Sequence, residues 1–177
     1  NNAAVLGDME LAATQIVIVM IGVIAFGLDG YAHAAEALVG DAIGRKDPVM
    51  LNLAIKRTNA LAFASSLLMG LFILAGEMPI IGALTNQQSL IELTAQQWHW
   101  VALMPFASFL AFQMDGIFVG ATRGREMRNA MLVSTAVFVA LVWVAAPYGL
   151  AGLLAAFTLW LGSRGLTLWL LLPRVIR

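Results

Sequence analysis

Five long apolar stretches, separated by short polar segments, dominate the chain. Each is close to or above the roughly 17–25 residues that a helix needs to cross the hydrocarbon core of a bilayer. Buried helices of a soluble protein are the alternative, but five of them leave too few polar residues to cover them. The pattern therefore predicts an all-α polytopic membrane helix bundle. Its five transmembrane helices are expected at about residues 11–40, 58–75, 98–120, 130–146 and 149–172.

Composition agrees with a membrane location. Of the 177 residues, 61% are hydrophobic and only 11% are charged, and the mean hydropathy is +0.87. A soluble domain has about a quarter of its residues charged. There is no cysteine, which excludes disulfides, thiolate metal sites and thiol catalysis. Ten basic residues balance ten acidic ones, so no net field draws the chain to nucleic acid.

The basic residues lie on alternate connections between the spans. None occurs in residues 1–10, 76–97 or 147–148. The positive-inside rule then places the N-terminus outside and the C-terminus in the cytoplasm. The basic residues that decide this orientation are Arg45, Lys46, Lys56, Arg57, Arg123, Arg125, Arg128, Arg174 and Arg177. The chain starts with Asn and has no basic opening stretch, so we expect no secretory signal and regard the chain as a piece of a longer protein.

Aromatic and turn residues mark the outer side. Trp98 and Trp100 stand at the predicted outer end of the third span, where an aromatic belt is expected. Residues 86–97 are polar with apolar residues at helical spacing, which predicts a short interfacial helix. Pro147 and Gly149 predict a tight outer turn.

Three ionisable residues share one face of the first span. Asp29, His33 and Glu36 are spaced i, i+4 and i+7. Ionisable groups within a membrane are costly and therefore candidates for function. Glu36 has a simpler alternative, solvation near the headgroups or pairing with Arg45 or Arg123. Asp29 is equally consistent with a structural hydrogen bond. A metal site is not expected, because no second His or carboxylate cluster completes one.

The third span carries a second polar group, Gln113 and Asp115, and Pro105 can kink the same helix beside a cavity. A desolvated carboxylate in such a place can exchange a proton for a cation. The structural alternative is that Asp115 pairs with Arg123 at the inner boundary. Arg164, within the fifth span, can extend to the headgroups or pair with a carboxylate of another span.

The sequence lacks the signatures of catalysis. No HExxH, GxSxG or P-loop motif is present, and no nucleophile is paired with a base. We therefore expect neither an enzyme nor a cofactor. The arginines between the third and fourth spans are expected to form a cytoplasmic loop rather than a nucleic-acid site.

Two strings carry a family resemblance. Residues 28–40, Leu-Asp-Gly-Tyr-Ala-His-Ala-Ala-Glu-Ala-Leu-Val-Gly, resemble the eighth-helix motif of the multidrug and toxic compound extrusion family. Residues 115–123, Asp-Gly-Ile-Phe-Val-Gly-Ala-Thr-Arg, and the Glu-Met-Arg-Asn at 126–129 resemble its tenth helix and the following loop. Both are closest to the branch named for DNA-damage-inducible protein F.

The resemblance implies a fold and a partner. Twelve helices in that family form two six-helix lobes around a central cavity, with both termini in the cytoplasm. Five spans with the N-terminus outside match helices eight to twelve, so residues 1–177 would form part of the second lobe. The N-terminal lobe of the same protein would then be the missing partner. It would also carry the first-helix aspartate to which proton coupling is largely ascribed in this branch.

The resemblance also implies roles for residues. Asp115 matches the acidic position of the tenth helix, a region that helps to bind the coupling cation in sodium-linked relatives. Asp29 and Glu36 match acidic positions of the eighth-helix motif, whereas no role carries over to His33. With Gln113 beside Asp115, these form the candidate cation- or substrate-binding set.

The sequence therefore predicts part of a bacterial inner-membrane antiporter with a cytoplasmic C-terminus. It would expel amphipathic, often cationic compounds in exchange for protons or sodium ions. Two alternatives stay open. A flippase for lipid-linked precursors would need several arginines facing its cavity, and only Arg164 lies within a span. A non-transporting scaffold or truncated relic would lose nothing when its membrane carboxylates are neutralised.

Overall fold

The computed structural model describes the backbone of residues 2–176 and the side chains of those residues other than 2–6, 146, 174 and 176. All regular structure in this part of the chain is helical. The elements are α1 (Asn2–Gly44), α2 (Pro48–Ala75), α3 (Glu77–Leu84), α4 (Gln88–Gly120), α5 (Gly124–Ala145), a 3-10 turn (Ala146–Tyr148), α6 (Gly149–Leu171) and α7 (Pro173–Ile176). Five helices, α1, α2, α4, α5 and α6, are long and apolar enough to cross a membrane. The predicted all-α bundle with five spans is confirmed.

The central helix of the bundle is α4. It packs along α1, α2 and α6, whereas α5 rests mainly on α6. In its most apolar stretch 56% of the residues are buried, against 11% in the corresponding stretch of α5. Trp98, Met114 and Phe118 are among the largest side chains fully enclosed in the bundle. The position of α4 therefore fixes the positions of its three neighbours.

Two glycines let α1 and α4 approach closely. A Cβ atom built at Gly116 would lie within 3 Å of three backbone atoms of Ala32, and one at Gly120 would contact the backbone of Glu36 in the same way. Small residues at helix contacts allow backbones to touch, which is how membrane helices gain packing energy without a hydrophobic driving force. The two glycines thus hold the second half of α1 against the end of α4.

The helices are longer than hydropathy alone indicates. The first turns of α2 contain Lys56 and Arg57, because the helix begins at Pro48, ten residues before the predicted start. The carboxylate of Asp47 accepts hydrogen bonds from the backbone N–H groups of two residues in the first turn. Proline at the first helical position needs no hydrogen bond of its own. Capping chemistry, rather than apolar content, sets this boundary.

Two expectations for the outer side were wrong. Residues 88–97 are the first turns of α4, and a different short helix, α3, fills the connection. Trp98 is completely buried instead of lying in an aromatic belt, and its Nε1 donates a 2.7 Å hydrogen bond to the carbonyl oxygen of Ile73. That carbonyl lies in the last turn of α2, where carbonyls lack helical partners, so the indole satisfies it. Trp100 is half-buried.

The two ends of the bundle differ in charge. We call the end that holds the turns after α1 and α4 the basic end, because Arg45, Lys46, Arg123 and Arg125 all lie there. The opposite end, with α3 and the 3-10 turn, has no Lys or Arg among the described residues. The side chains of Arg174 and the terminal Arg lie outside the described part of the chain.

Candidate functional site

An ion pair between two membrane-spanning helices forms the centre of the candidate site. Nη2 of Arg164 on α6 donates a hydrogen bond of 2.5 Å to Oδ2 of Asp115 on α4. Both side chains are largely enclosed, with 17% of Arg164 and 24% of Asp115 exposed. Asp115 lies five residues before the end of α4, roughly 8 Å along the helix axis. The pair is therefore in the half of the bundle nearer the basic end.

The structural alternative given above, in which Asp115 pairs with Arg123, is not what the structure shows, because the partner of Asp115 is Arg164. Arg123 instead lies 3.6 Å from Glu126. Of the two arrangements considered for Arg164, pairing with a carboxylate of another span is the observed one. The adjacent Gly165 packs against the backbone of α4 at Ala111, one turn before Asp115, which brings the backbone of α6 close to this part of α4.

The ion pair uses only one of the two carboxylate oxygens. Oδ1 of Asp115 is buried and has no hydrogen-bond partner. Arginine commonly binds a carboxylate through two parallel hydrogen bonds. Leaving a buried acceptor unsatisfied costs about 1–3 kcal/mol. The carboxylate therefore keeps an unused acceptor inside the bundle.

A second carboxylate lies on the helix that packs against α4. Asp29 of α1 is half-buried and precedes Ala32, the residue that Gly116 contacts, by three positions. The close contact between Gly116 and Ala32 brings the two helices together at this level. The structure thus brings together two of the predicted site residues, Asp29 and Asp115, through the packing of α1 on α4.

Asp115 also opens onto an apolar groove of about 350 Å³ between α4 and α5. Sequence reasoning did not identify the residues of α5 that line this groove. Their spacing of four residues, which places them on one helix face, is the signal that could have found them. They are Met127, Arg128, Met131, Leu132 and Thr135. The methionine and leucine side chains form a flexible apolar surface beside the carboxylate, and Arg128 adds a positive charge to the same lining.

Gln113 does not join this group. It is fully buried, and neither Nε2 nor Oε1 of its amide has a hydrogen-bond partner. Residues two positions apart on an α-helix point about 200° from each other, so Gln113 faces away from the groove at Asp115. Its role in ligand binding stays a prediction without support from this geometry.

Glu36 and His33 lie at the more open part of α1. Nδ1 of His33 is 3.5 Å from Oε2 of Glu36, and 77% and 44% of their side chains are exposed. The alternative partner Arg45 instead pairs with Asp41 at 2.9 Å. Neither Glu36 nor His33 is enclosed in the bundle in the way that Asp115 is. Among the described residues, no group of three or more His, Asp or Glu side chains is placed to hold a metal ion.

Comparison with known proteins identifies the family. The MatE family model matches residues 3–161. The chain is 34% identical over 168 residues to DNA damage-inducible protein F of Escherichia coli (strain K12), which covers 92% of this chain and 36% of that protein. It is 31% identical over 141 residues to Protein DETOXIFICATION 27 of Arabidopsis thaliana, which covers 78% of this chain and 29% of that protein. No solved structure matches.

The chain spans about a third of the length of the curated relatives it matches. The family match nevertheless extends over most of the chain, from α1 into α6. Members of this family are transporters rather than enzymes, and the five apolar helices make the chain a multi-pass membrane protein. The resemblance of residues 28–40 and 115–129 is thereby confirmed, and this chain belongs to the MatE family of membrane transporters.

Proposed function

We propose that the chain forms part of the second lobe of a bacterial inner-membrane antiporter, with its C-terminus in the cytoplasm. The transporter exports amphipathic, often cationic compounds in exchange for protons or sodium ions. The observation that carries this proposal is the enclosed carboxylate of Asp115, which opens onto a mostly apolar groove between α4 and α5. An apolar wall binds the body of such a compound, and a carboxylate binds its positive charge.

Transport follows from a difference in affinity between two states. Many secondary transporters move one repeat or bundle against the other around a site near the midplane. A ligand shifts such an equilibrium only by the difference between its affinities for the two states. In this proposal, occupancy of Asp115 by the exported compound or by the coupling ion supplies that difference.

The proposed partner is the N-terminal lobe of the same protein. The polar face of α1 supports this, because His33 exposes 77% of its side chain and Asp29 is only half-buried. Charged and polar groups within a membrane usually face other helices or a water-filled cavity rather than lipid. The first lobe would cover this face and complete the cavity.

The test is the replacement D115N in the full-length protein, expressed in cells that lack their own efflux pumps. We expect ethidium efflux to fall at least about tenfold, because an interaction with a charged group contributes about 1.5–3 kcal/mol and each 1.4 kcal/mol is about tenfold in affinity. The protein level in the membrane should stay unchanged. The matched control is D41N, which neutralises an exposed aspartate of the same helical bundle that pairs with Arg45. Efflux by D115N at the level of D41N would refute the role of Asp115.

The alternatives predict different results. A scaffold would tolerate simultaneous neutralisation of Asp29, Glu36 and Asp115, whereas the antiporter would lose efflux. A flippase for anionic headgroups needs positive charges that face the cavity. Arg164 is already paired with Asp115, so it is not available to bind an anionic headgroup.

A further inference from the structure

We propose that Arg164 is the resident counter-ion of Asp115. Its guanidinium occupies the carboxylate while no transported cation is bound, and a cation must displace it in order to bind. Arg164 then determines the affinity of the site for cations without contacting the exported compound. This inference rests on the proposed function, since it assigns to Asp115 a cationic occupant.

The geometry of the ion pair supports displacement rather than a permanent link. Arg164 contacts Oδ2 of Asp115 through Nη2, while Oδ1 remains buried without a partner. A purely structural arginine–carboxylate pair gains most from two parallel hydrogen bonds. The carboxylate is held by one hydrogen bond instead of two, so a second positively charged group has a single contact of Arg164 to replace.

Arg164 is the positively charged group that contacts Asp115, and Arg128 lines the adjoining groove. A transported cation therefore has a carboxylate to bind only after the guanidinium of Arg164 has left it. Without Arg164 the carboxylate would lack its ionic partner and would hold a cation more tightly, which slows its release.

The backbone keeps Arg164 at this position throughout. A Cβ atom at the adjacent Gly165 would lie 2.8 Å from the backbone nitrogen of Ala111, so α6 and α4 are in direct backbone contact beside the pair. Because the guanidinium is permanently charged and tethered, it competes with the transported cation at a fixed effective concentration. Rotation of the Arg164 side chain is enough to free the carboxylate while α4 and α6 stay in contact.

The first experiment measures cation binding to the purified full-length protein through its thermal stability. Ligands that bind the folded state stabilise it by RT ln(1 + [L]/Kd), so a fit of melting temperature against ligand concentration gives the half-saturating concentration. Two titrations are made separately, one with NaCl against choline chloride at constant ionic strength and one with tetraphenylphosphonium. They distinguish the coupling ion from the cationic compound as the occupant. The variants are R164Q, R164K and the control R45Q, which disrupts an exposed Arg–Asp pair.

We expect R164Q to lower the half-saturating concentration of at least one cation by about fivefold or more, the lower end of typical coupling between sites. R164K keeps the charge and should stay within about twofold of the wild type, and R45Q should titrate as the wild type does. A half-saturating concentration in R164Q that equals or exceeds that of the wild type, for both cations, would overturn the proposal. So would equal effects of R164K and R164Q, because they would indicate packing rather than charge.

A second experiment needs no variant, so it decides the question even if R164Q does not fold. Phenylglyoxal modifies free guanidinium groups, and mass spectrometry reads the extent of modification at each arginine. Saturating NaCl or tetraphenylphosphonium should accelerate modification of Arg164 severalfold and leave Arg45 unchanged. An unchanged rate at Arg164 with both cations would contradict displacement. Neither assay depends on transport, so a protein that binds cations in this way but moves no compound would refute only the proposed antiport.

Discussion

The close contact between α1 and α4 predicts the effect of a single methyl group. G116A adds a Cβ atom that would lie only 2.1 Å from the carbonyl oxygen of Ala32 and 2.9 Å from its Cα. Ordinary contacts begin at about 3.4 Å, so the two helices must separate by roughly 1 Å or more. All the clashing atoms belong to the backbone, and a change of side-chain rotamer cannot relieve them.

The magnitude follows from two opposing effects. Overpacking of a well-packed interface costs typically about 1–3 kcal/mol. Alanine is favoured over glycine within a helix by roughly 0.5–1 kcal/mol, which offsets part of that cost. Gly30 on α1 provides the matched control, because nothing lies within 4 Å of a Cβ atom at that position. G30A therefore keeps only the favourable effect, and the two variants should differ by roughly 2 kcal/mol in the free energy of unfolding.

The assay is thermal unfolding of the full-length protein in detergent, followed by the loss of monodisperse protein on size-exclusion chromatography. We expect a melting temperature several degrees lower for G116A than for G30A. A G116A protein as stable as G30A would refute the reasoning, because it would show that α1 and α4 are not in backbone contact at this level.

Two further predictions concern the bundle and its orientation. W98F removes the donor to the carbonyl oxygen of Ile73 and should lower the free energy of unfolding by about 1–3 kcal/mol, measured by the same thermal assay. Single cysteines at Gln87 and Lys46, in a cysteine-free background, should react differently with a membrane-impermeant maleimide applied to intact cells. The positive-inside rule predicts labelling at Gln87, at the end without basic residues, and none at Lys46.

The W98F prediction and the labelling prediction each have an outcome that would contradict them. W143F is the control for the indole, since Trp143 is 80% exposed, and equal stability of the two variants would show that the buried hydrogen bond contributes nothing. Labelling of Lys46→Cys without labelling of Gln87→Cys would invert the proposed orientation.

The five spans of the fold are predictable from the sequence because hydropathy is a property of long segments. The ends of the helices are not predictable in this way, since each end depends on a single hydrogen-bonding group. The carboxylate of Asp47 starts α2, and the polar residues 88–97 continue α4 because nothing in them breaks a helix. The burial of Trp98 has a similar cause. Hydropathy does not show that the carbonyl oxygen of Ile73, in the last turn of α2, lies beside the indole and accepts its hydrogen bond.

The candidate site was predictable in part. An aspartate within a span is conspicuous in any sequence, and Asp115 was identified in this way. Its partner was not determined, because Arg164 is 49 residues away and only the packing of α6 on α4 brings them together. Gln113 was included for its proximity in sequence, although a separation of two residues turns it to another face of the helix.

Gradient-driven transport tests the central claim most directly. The full-length protein is reconstituted into liposomes with a sodium or pH gradient, and ethidium movement against its own gradient is followed by fluorescence. The account predicts transport driven by at least one gradient in the wild type and in D41N, and its loss in D115N. Gradient-driven transport that persists in D115N, or its absence from the wild type under both gradients, would contradict it.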